Sequence, residues 1–202
     1  MRKSIAAAVI AASAATAACS HDRGEEGGPT VTRNYQVGNF QQIEVAGAYD
    51  VDVRTGANPG VSARGPQKLL ENTVVEVKGD KLYIRPQSEK GWFHFGWSHQ
   101  GKAEFTVTVP QLNEATIAGS GDAKAGTGKA QSAEYEIAGS GDVDGGGVTA
   151  DQAKVSIAGS GSIKAHATGA ANVDIMGSGD VEVTGGAKCN ISKAGSGDVR
   201  CS

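Results

Sequence analysis

The sequence predicts an all-β fold: a parallel β-helix, or solenoid, with 18–20-residue rungs and an irregular N-terminal β cap. Three observations predict it. Gly-Ser-Gly recurs at Gly119, Gly139, Gly159, Gly177 and Gly195, in steps of 20, 20, 18 and 18 residues. Each recurrence is flanked by short runs in which apolar and polar residues alternate, the period-two signature of strands. Gly makes up 30 of the 202 residues and Pro only 5, a bias that fits a repeat with a turn in every unit.

The chain opens on an export signal, residues 1–18. Arg2 and Lys3 form a positive start, and Ile5 to Ala18 is an uncharged small-apolar run, too short and too rich in Ala for a good membrane span. Two cleavages fit. Thr16-Ala17-Ala18-Cys19 resembles a bacterial lipobox, with Thr16 where Leu is usual; Cys19 would then carry a diacylglyceryl lipid. Thr16 and Ala18 also suit an ordinary signal peptidase, which gives a soluble periplasmic or secreted protein. The lipoprotein, anchored in the outer membrane and facing the periplasm or the cell surface, is the reading taken. Residues 19–34 form the anchor site and a polar Gly/Glu-rich tether. Without Arg2 and Lys3 the 19 basic residues become 17 against 22 acidic ones, a net charge of −5. That charge disfavours nucleic acid as a partner.

Residues 35–202 form the solenoid domain. Phe40 to Gly47 and Tyr49 to Val53 read as a first rung with a diverged turn. Val74–Val77 and Leu82–Ile84, joined through Lys78-Gly79-Asp80-Lys81, read as a hairpin. Phe105–Val109 is a further strand, closed by Pro110. These irregular elements are placed to cap the solenoid, and no long helix is expected.

Regular rungs run from about residue 113 to 202. Aligned repeats give one column of Ile117, Ile137, Ile157, Ile175 and Lys193, and a second of Ala123, Val143, Ile163, Val181 and Val199. Both are expected to face inward, where each large side chain contributes about 1.5–3 kcal/mol. Between them an outward column runs Lys124, Asp144, Lys164, Glu182, Arg200, alternating in sign as neighbours about 4.8 Å apart should. Stacked equivalent residues make consecutive repeats consecutive rungs of one parallel sheet.

Two further columns carry chemistry. Asp122, Asp142, Ser162, Asp180 and Asp198 follow the glycine turns. Stacked carboxylates suggest Ca²⁺, but the motif comes once per rung and Ser162 interrupts it. Asp satisfying backbone N–H groups at the bend is the expectation. Cys189 falls in the column of Ala133, Ala153 and Ala171, and Cys201 in that of Ala125, Gly145, Ala165 and Val183. Both columns should point inward with room for sulfur, so a Cys189–Cys201 disulfide is expected in the last rung. Cys19 is then left for the lipid.

The pattern resembles the auto-transporter adhesin head, or GIN, domain family of bacterial envelope proteins. The residues that carry the resemblance are Ile43-Glu44-Val45-Ala46-Gly47 with Val51-Asp52-Val53, the hairpin end Leu82-Tyr83-Ile84, the strand Val107-Thr108-Val109-Pro110, and the serial Gly-Ser-Gly-Asp turns. The resemblance covers roughly residues 35–202. It implies a right-handed parallel β-helix and no reaction, and it supplies no catalytic residues.

One segment stands outside the repeats. Gly91 to His99 contains Trp92, Phe93, Phe95 and Trp97, four of the ten aromatic residues. It either covers the solenoid or presents a contact patch for a glycan, an envelope protein or a membrane surface. His94 and His99 lack further ligands nearby, so no metal is expected, and no cofactor. Asp50 and Asp52 share a face of one strand, a weak acid–base signal that a solvated face explains equally well. The expectation is therefore a non-catalytic, adhesin-like binding or structural module. A polysaccharide lyase or hydrolase on the same scaffold is the first alternative, and a self-assembling surface protein, a homo-oligomer pairing through its ends, is the second.

Overall fold

Equivalent residues of successive repeats lie over one another. A computed structural model describes residues 28–56, 58–87 and 102–202. The expected export signal at residues 1–18, Cys19 and the segment holding Trp92, Phe93, Phe95 and Trp97 lie outside the described residues. The N-terminal elements are β1 (Thr30–Tyr35), β2 (Gln42–Gly47), β3 (Tyr49–Thr55), β4 (Gly60–Pro66), α1 (Gln67–Glu71), β5 (Thr73–Lys78), β6 (Lys81–Pro86) and β7 (Ala103–Val109). The repeats supply β8 (Glu114–Gly119), β9 (Ala123–Ala125), β10 (Gly128–Gly139), β11 (Val143–Gly159), β12 (Ser162–Gly177), β13 (Asp180–Thr184), β14 (Lys188–Gly195) and β15 (Val199–Cys201).

The repeats pair in parallel and in register. Ile117, Ile137, Ile157, Ile175 and Lys193 are successive partners. Across the bend, Ala123, Val143, Ile163, Val181 and Val199 follow the same rule. The four isoleucines are at most 1% exposed, so one ladder buries a stripe that no single repeat could bury alone.

The bend explains the glycines. Gly119, Gly139, Gly159, Gly177 and Gly195 have φ between +132° and +143°, a region that residues with a Cβ rarely enter. Space is also lacking. A Cβ on Gly159 would meet the Gly139 carbonyl oxygen at 1.9 Å, and one on Gly161 would meet that of Gly141 at 1.9 Å. The backbone ladder continues through the turn, Ser140 N–H donating to Gly119 O and Ser160 N–H to Gly139 O, both at 2.9 Å.

The stacking order departs from the chain order at the N-terminal end. The rung made by β2 and β3 is not the outermost: β6 pairs with β2 and β7 with β3, on the side away from β8 and β9. Each strand has two edges. Once the hairpin of β5 and β6 occupies one edge of β2, the repeats must grow from the other. The cap is closed by antiparallel β4 against β7, β1 against β4, and the short α1, whose Leu70 is fully buried. Strand β1 opens at Thr30, within the stretch read as tether, because Val31 and Tyr35 pack against the core.

The diverged turn of the first rung exchanges a glycine for a tyrosine that packs into the cap. Gly47 keeps the positive φ, at +123°. Tyr49 occupies the position of the second glycine, and its ring lies edge-on to Phe105 at 5.4 Å between centroids. Its hydroxyl meets the Thr73 hydroxyl at 3.0 Å.

A second size exchange lies in the core. Tyr135 stands in the column of Ala115, Val155 and Val173, and it fills the space that a side chain on Gly145 would need. A Cβ there would sit 2.3 Å from the tyrosine ring. Tyr135 donates to Gly145 O at 3.3 Å, and burial pushes its hydroxyl pKa well above the usual tyrosine value. The folded state therefore holds this proton more tightly than the unfolded chain. Its contribution to stability is full below about pH 10, the unfolded tyrosine value, and is lost as pH rises beyond it. Tyr135→Phe is expected to cost about 1 kcal/mol at neutral pH through the lost hydrogen bond. The same change should flatten the alkaline fall in stability, as urea titrations between pH 7 and 11 can check.

Candidate functional site

The solenoid offers ladders, a notch and one disulfide. The outward ladder is in register: Lys124 lies beside Asp144, Asp144 beside Lys164, Lys164 beside Glu182, and Glu182 beside Arg200. Asp52 extends it on the cap side, next to Lys124. The column therefore alternates in sign over six rungs. Stacking does not make ion pairs here, since among the described residues none of these neighbours closes to salt-bridge distance. Asp52 instead meets Arg54 at 3.2 Å, and the Asp144 carboxylate accepts from Gly146 N–H at 3.2 Å. Exposed charges in register contribute a few tenths of a kcal/mol each, enough to disfavour a one-rung slip without binding the rungs.

The Asp column does turn chemistry, and it does so between rungs. Asp122 Oδ1 accepts from Asp142 N–H at 3.0 Å, Asp142 Oδ1 from Ser162 N–H at 2.8 Å, and Asp180 Oδ1 from Asp198 N–H at 2.8 Å. Where Ser162 interrupts the column, Asp180 N–H turns to the Gly161 carbonyl at 3.2 Å. Each carboxylate thus satisfies a backbone donor that the bend would leave unpaired. Among the described residues no three His, Cys, Asp or Glu side chains converge as a metal site.

Asp50 and Asp52, the one close acidic pair of the first rung, are each held by a cation. Lys102 lies 3.3 Å from Asp50, and Arg54 is the partner of Asp52. The shifted titrations elsewhere all move away from neutrality. Hydrogen bonding to Glu114 at 2.6 Å holds the Lys81 ammonium above the usual lysine value, and Glu134 does the same for Lys154. Lys78 and Arg85 hold Glu76 below the usual carboxylate range. A general acid or base is tuned the other way, toward the working pH.

The notch lies beside the ends of β3 and β7 and the start of β10. It encloses about 190 Å³ between Thr55, Pro110, Leu112, Thr127, Lys129 and Val148. Lys129 is the one titratable group in its lining, so it holds no acid–base pair.

Cys189 and Cys201 are joined, with Cα atoms 6.6 Å apart. They continue the columns of Ala171 and Val183. Cys189 packs partly against the core and Cys201 is exposed, because the last rung has no further rung over it among the described strands. The sequence missed three pairings. Asp52 joins the charge ladder, Lys81 reaches past Gln42 to Glu114, and Tyr135 fills the place of Gly145. Only the last left a signal, a lone glycine in one small-residue column and a lone aromatic in an aliphatic one.

No helix among the described residues is long and apolar enough to cross a membrane. No curated protein matches the chain in sequence. A solved structure titled a putative adhesin, from Bacteroides fragilis, is 19% identical, with 86% of this chain and 97% of that one covered and a TM-score of 0.54. This likeness shows the same fold. A structure titled a putative lipid binding protein, from Parabacteroides distasonis, is 20% identical over 87% of this chain and 97% of that one, with a TM-score of 0.48. The family model described as "Putative auto-transporter adhesin, head GIN domain" matches residues 39–127 and 114–187. Those spans take in the first rung, the cap hairpin and four of the five Gly-Ser-Gly bends, and the chain belongs to this GIN domain family.

Proposed function

We propose that the protein is a non-catalytic, adhesin-like binding module of the bacterial cell envelope, carried on a lipid at Cys19 and facing the periplasm or the cell surface. The observation that carries the reading is the in-register stack: a rigid scaffold whose polar residues serve the stack. Asp122, Asp142 and Asp180 each accept from a backbone donor, and Asp50 and Asp52 each meet a cation. Family membership supports the adhesin-like class and an extracellular or surface-exposed setting.

The contact surface we favour is the segment with Trp92, Phe93, Phe95 and Trp97. It leaves β6 at Gln87 and returns at Lys102 before β7, so both of its ends belong to the outermost rung at the cap. Aromatic faces suit sugar rings and apolar protein patches. The ligand class is therefore an envelope or surface glycan, with an envelope protein as the other candidate. A glycan array probed with wild type and with Trp92→Ala/Trp97→Ala is expected to show saturable binding that falls at least tenfold in the double variant. A polysaccharide-degradation screen is expected to show no turnover. Turnover abolished by one carboxylate change would establish the enzyme instead. Mass spectrometry of the mature N-terminus is expected to find a lipidated Cys19; an unmodified N-terminus beginning there or beyond makes the protein soluble.

A further inference from the structure

The two ends of the stack are finished differently. At the cap, Phe40, Leu70 and Leu112 are 0–2% exposed beneath the irregular elements. At the other end, β14 and β15 each have a strand on one side only among the described residues. Inner positions there are bare: Ile191 is 47% exposed, whereas its column partners Val155 and Val173 are 0–1% exposed. An open edge backed by an exposed apolar face is a template for another chain. A second copy is the occupant that such an end fits, since its own last rung presents the same unpaired backbone and the same bare face.

The same rung contains what works against that use. Lys193 stands where Ile117, Ile137, Ile157 and Ile175 stand in the rungs above. Its ammonium folds toward the last bend and donates to the Gly197 carbonyl oxygen at 2.7 Å. Proteins blunt open edges with inward-pointing charges of this kind. We infer that Lys193 is a stop residue, closing the β14–β15 end of the described stack to a second copy of this chain. A two-fold end-to-end contact repeats every residue, so it brings two Lys193 ammonium groups onto one small face and strips them of water. The disulfide acts in the same sense, tying β14 to β15 so that neither swings out to pair elsewhere.

The test is sedimentation velocity across a concentration series on the oxidised protein. Lys193→Ile restores the residue of the four rungs above and is expected to tighten self-association at least tenfold relative to wild type. Lys193→Arg keeps the charge and is expected to match wild type. Adding Ile191→Asp to Lys193→Ile places a charge on the same end and is expected to return the protein to wild-type behaviour. Lys193→Met, which removes the charge and keeps an unbranched side chain, is expected to associate more tightly than wild type and replaces the isoleucine variant if that one precipitates. The inference is overturned if neither neutral variant associates more than wild type. It is equally overturned if the arginine variant associates as strongly as the isoleucine one, or if Ile191→Asp leaves the association intact.

Discussion

Gly159→Ala is expected to destabilise the fold by about 2–5 kcal/mol, through two separable terms. Its φ of +143° lies where an L-residue is strained, which costs about 1–2 kcal/mol. The new Cβ also meets the Gly139 carbonyl at 1.9 Å, and that oxygen is tied into the ladder by Ser160 N–H. Forcing the rungs apart is overpacking, about 1–3 kcal/mol more. Two controls separate the terms. Gly161 lies outside the positive-φ set but is as tightly packed, against Gly141 O. Gly161→Ala should therefore cost the packing term alone. Gly79 has φ +65° with nothing within 4 Å of a new Cβ, so Gly79→Ala should cost only about 1 kcal/mol. Urea unfolding of the three variants checks the ranking. Equal losses at Gly79 and Gly159 would show that rung contact has no part in the requirement for glycine.

Replacing Cys189 and Cys201 together by Ser is expected to remove about 3 kcal/mol or somewhat less. The bridge closes a loop of sequence separation 12, for which chain entropy predicts that amount. The loss should be local before it is global. Every residue of β14 except Cys189 is exposed, so without the bridge this rung lacks a cross-link and, among the described strands, an outer neighbour. Hydrogen exchange is expected to quicken first in β14 and β15, while Ile157 and Ile163 in the middle of the stack stay protected. Uniform loss of protection would instead make the whole solenoid one cooperative unit.

The repeats were legible because each of their columns has one physical reason. Isoleucine recurs where the stack is dry, glycine where two bends touch, and aspartate where a backbone donor needs an oxygen. The cysteine pairing followed from the same alignment, since Ala171 and Val183 mark inward positions one rung earlier. The cap was legible only as a set of strands. Its order depends on which edge of β2 the hairpin takes, a long-range choice that local alternation does not encode. Thus Asp52 read as half of an acidic pair, although its neighbour on the ladder is Lys124. The charge column stacks in register as expected, and its contacts are a separate matter. Register is a property of the backbone, whereas the side chains at the surface find nearer partners, as Asp144 does in Gly146 N–H. The candidate contact residues Trp92, Phe93, Phe95 and Trp97 belong to no column, so neither repeat logic nor period assigns them a face.

The measurement that most directly tests the stacked register is cross-linking between bends. Ser140 and Ser160 occupy equivalent positions in neighbouring rungs and are exposed. Rungs lie about 4.8 Å apart, inside the Cα window of about 4.4–6.8 Å for a disulfide. Ser178 is one rung further on, at roughly twice that spacing. Under mild oxidation Ser140→Cys/Ser160→Cys is expected to form the new bridge, while Ser140→Cys/Ser178→Cys remains as free thiols. Bridging of the second pair and not the first would contradict a coil in which each repeat rests directly on the one before it.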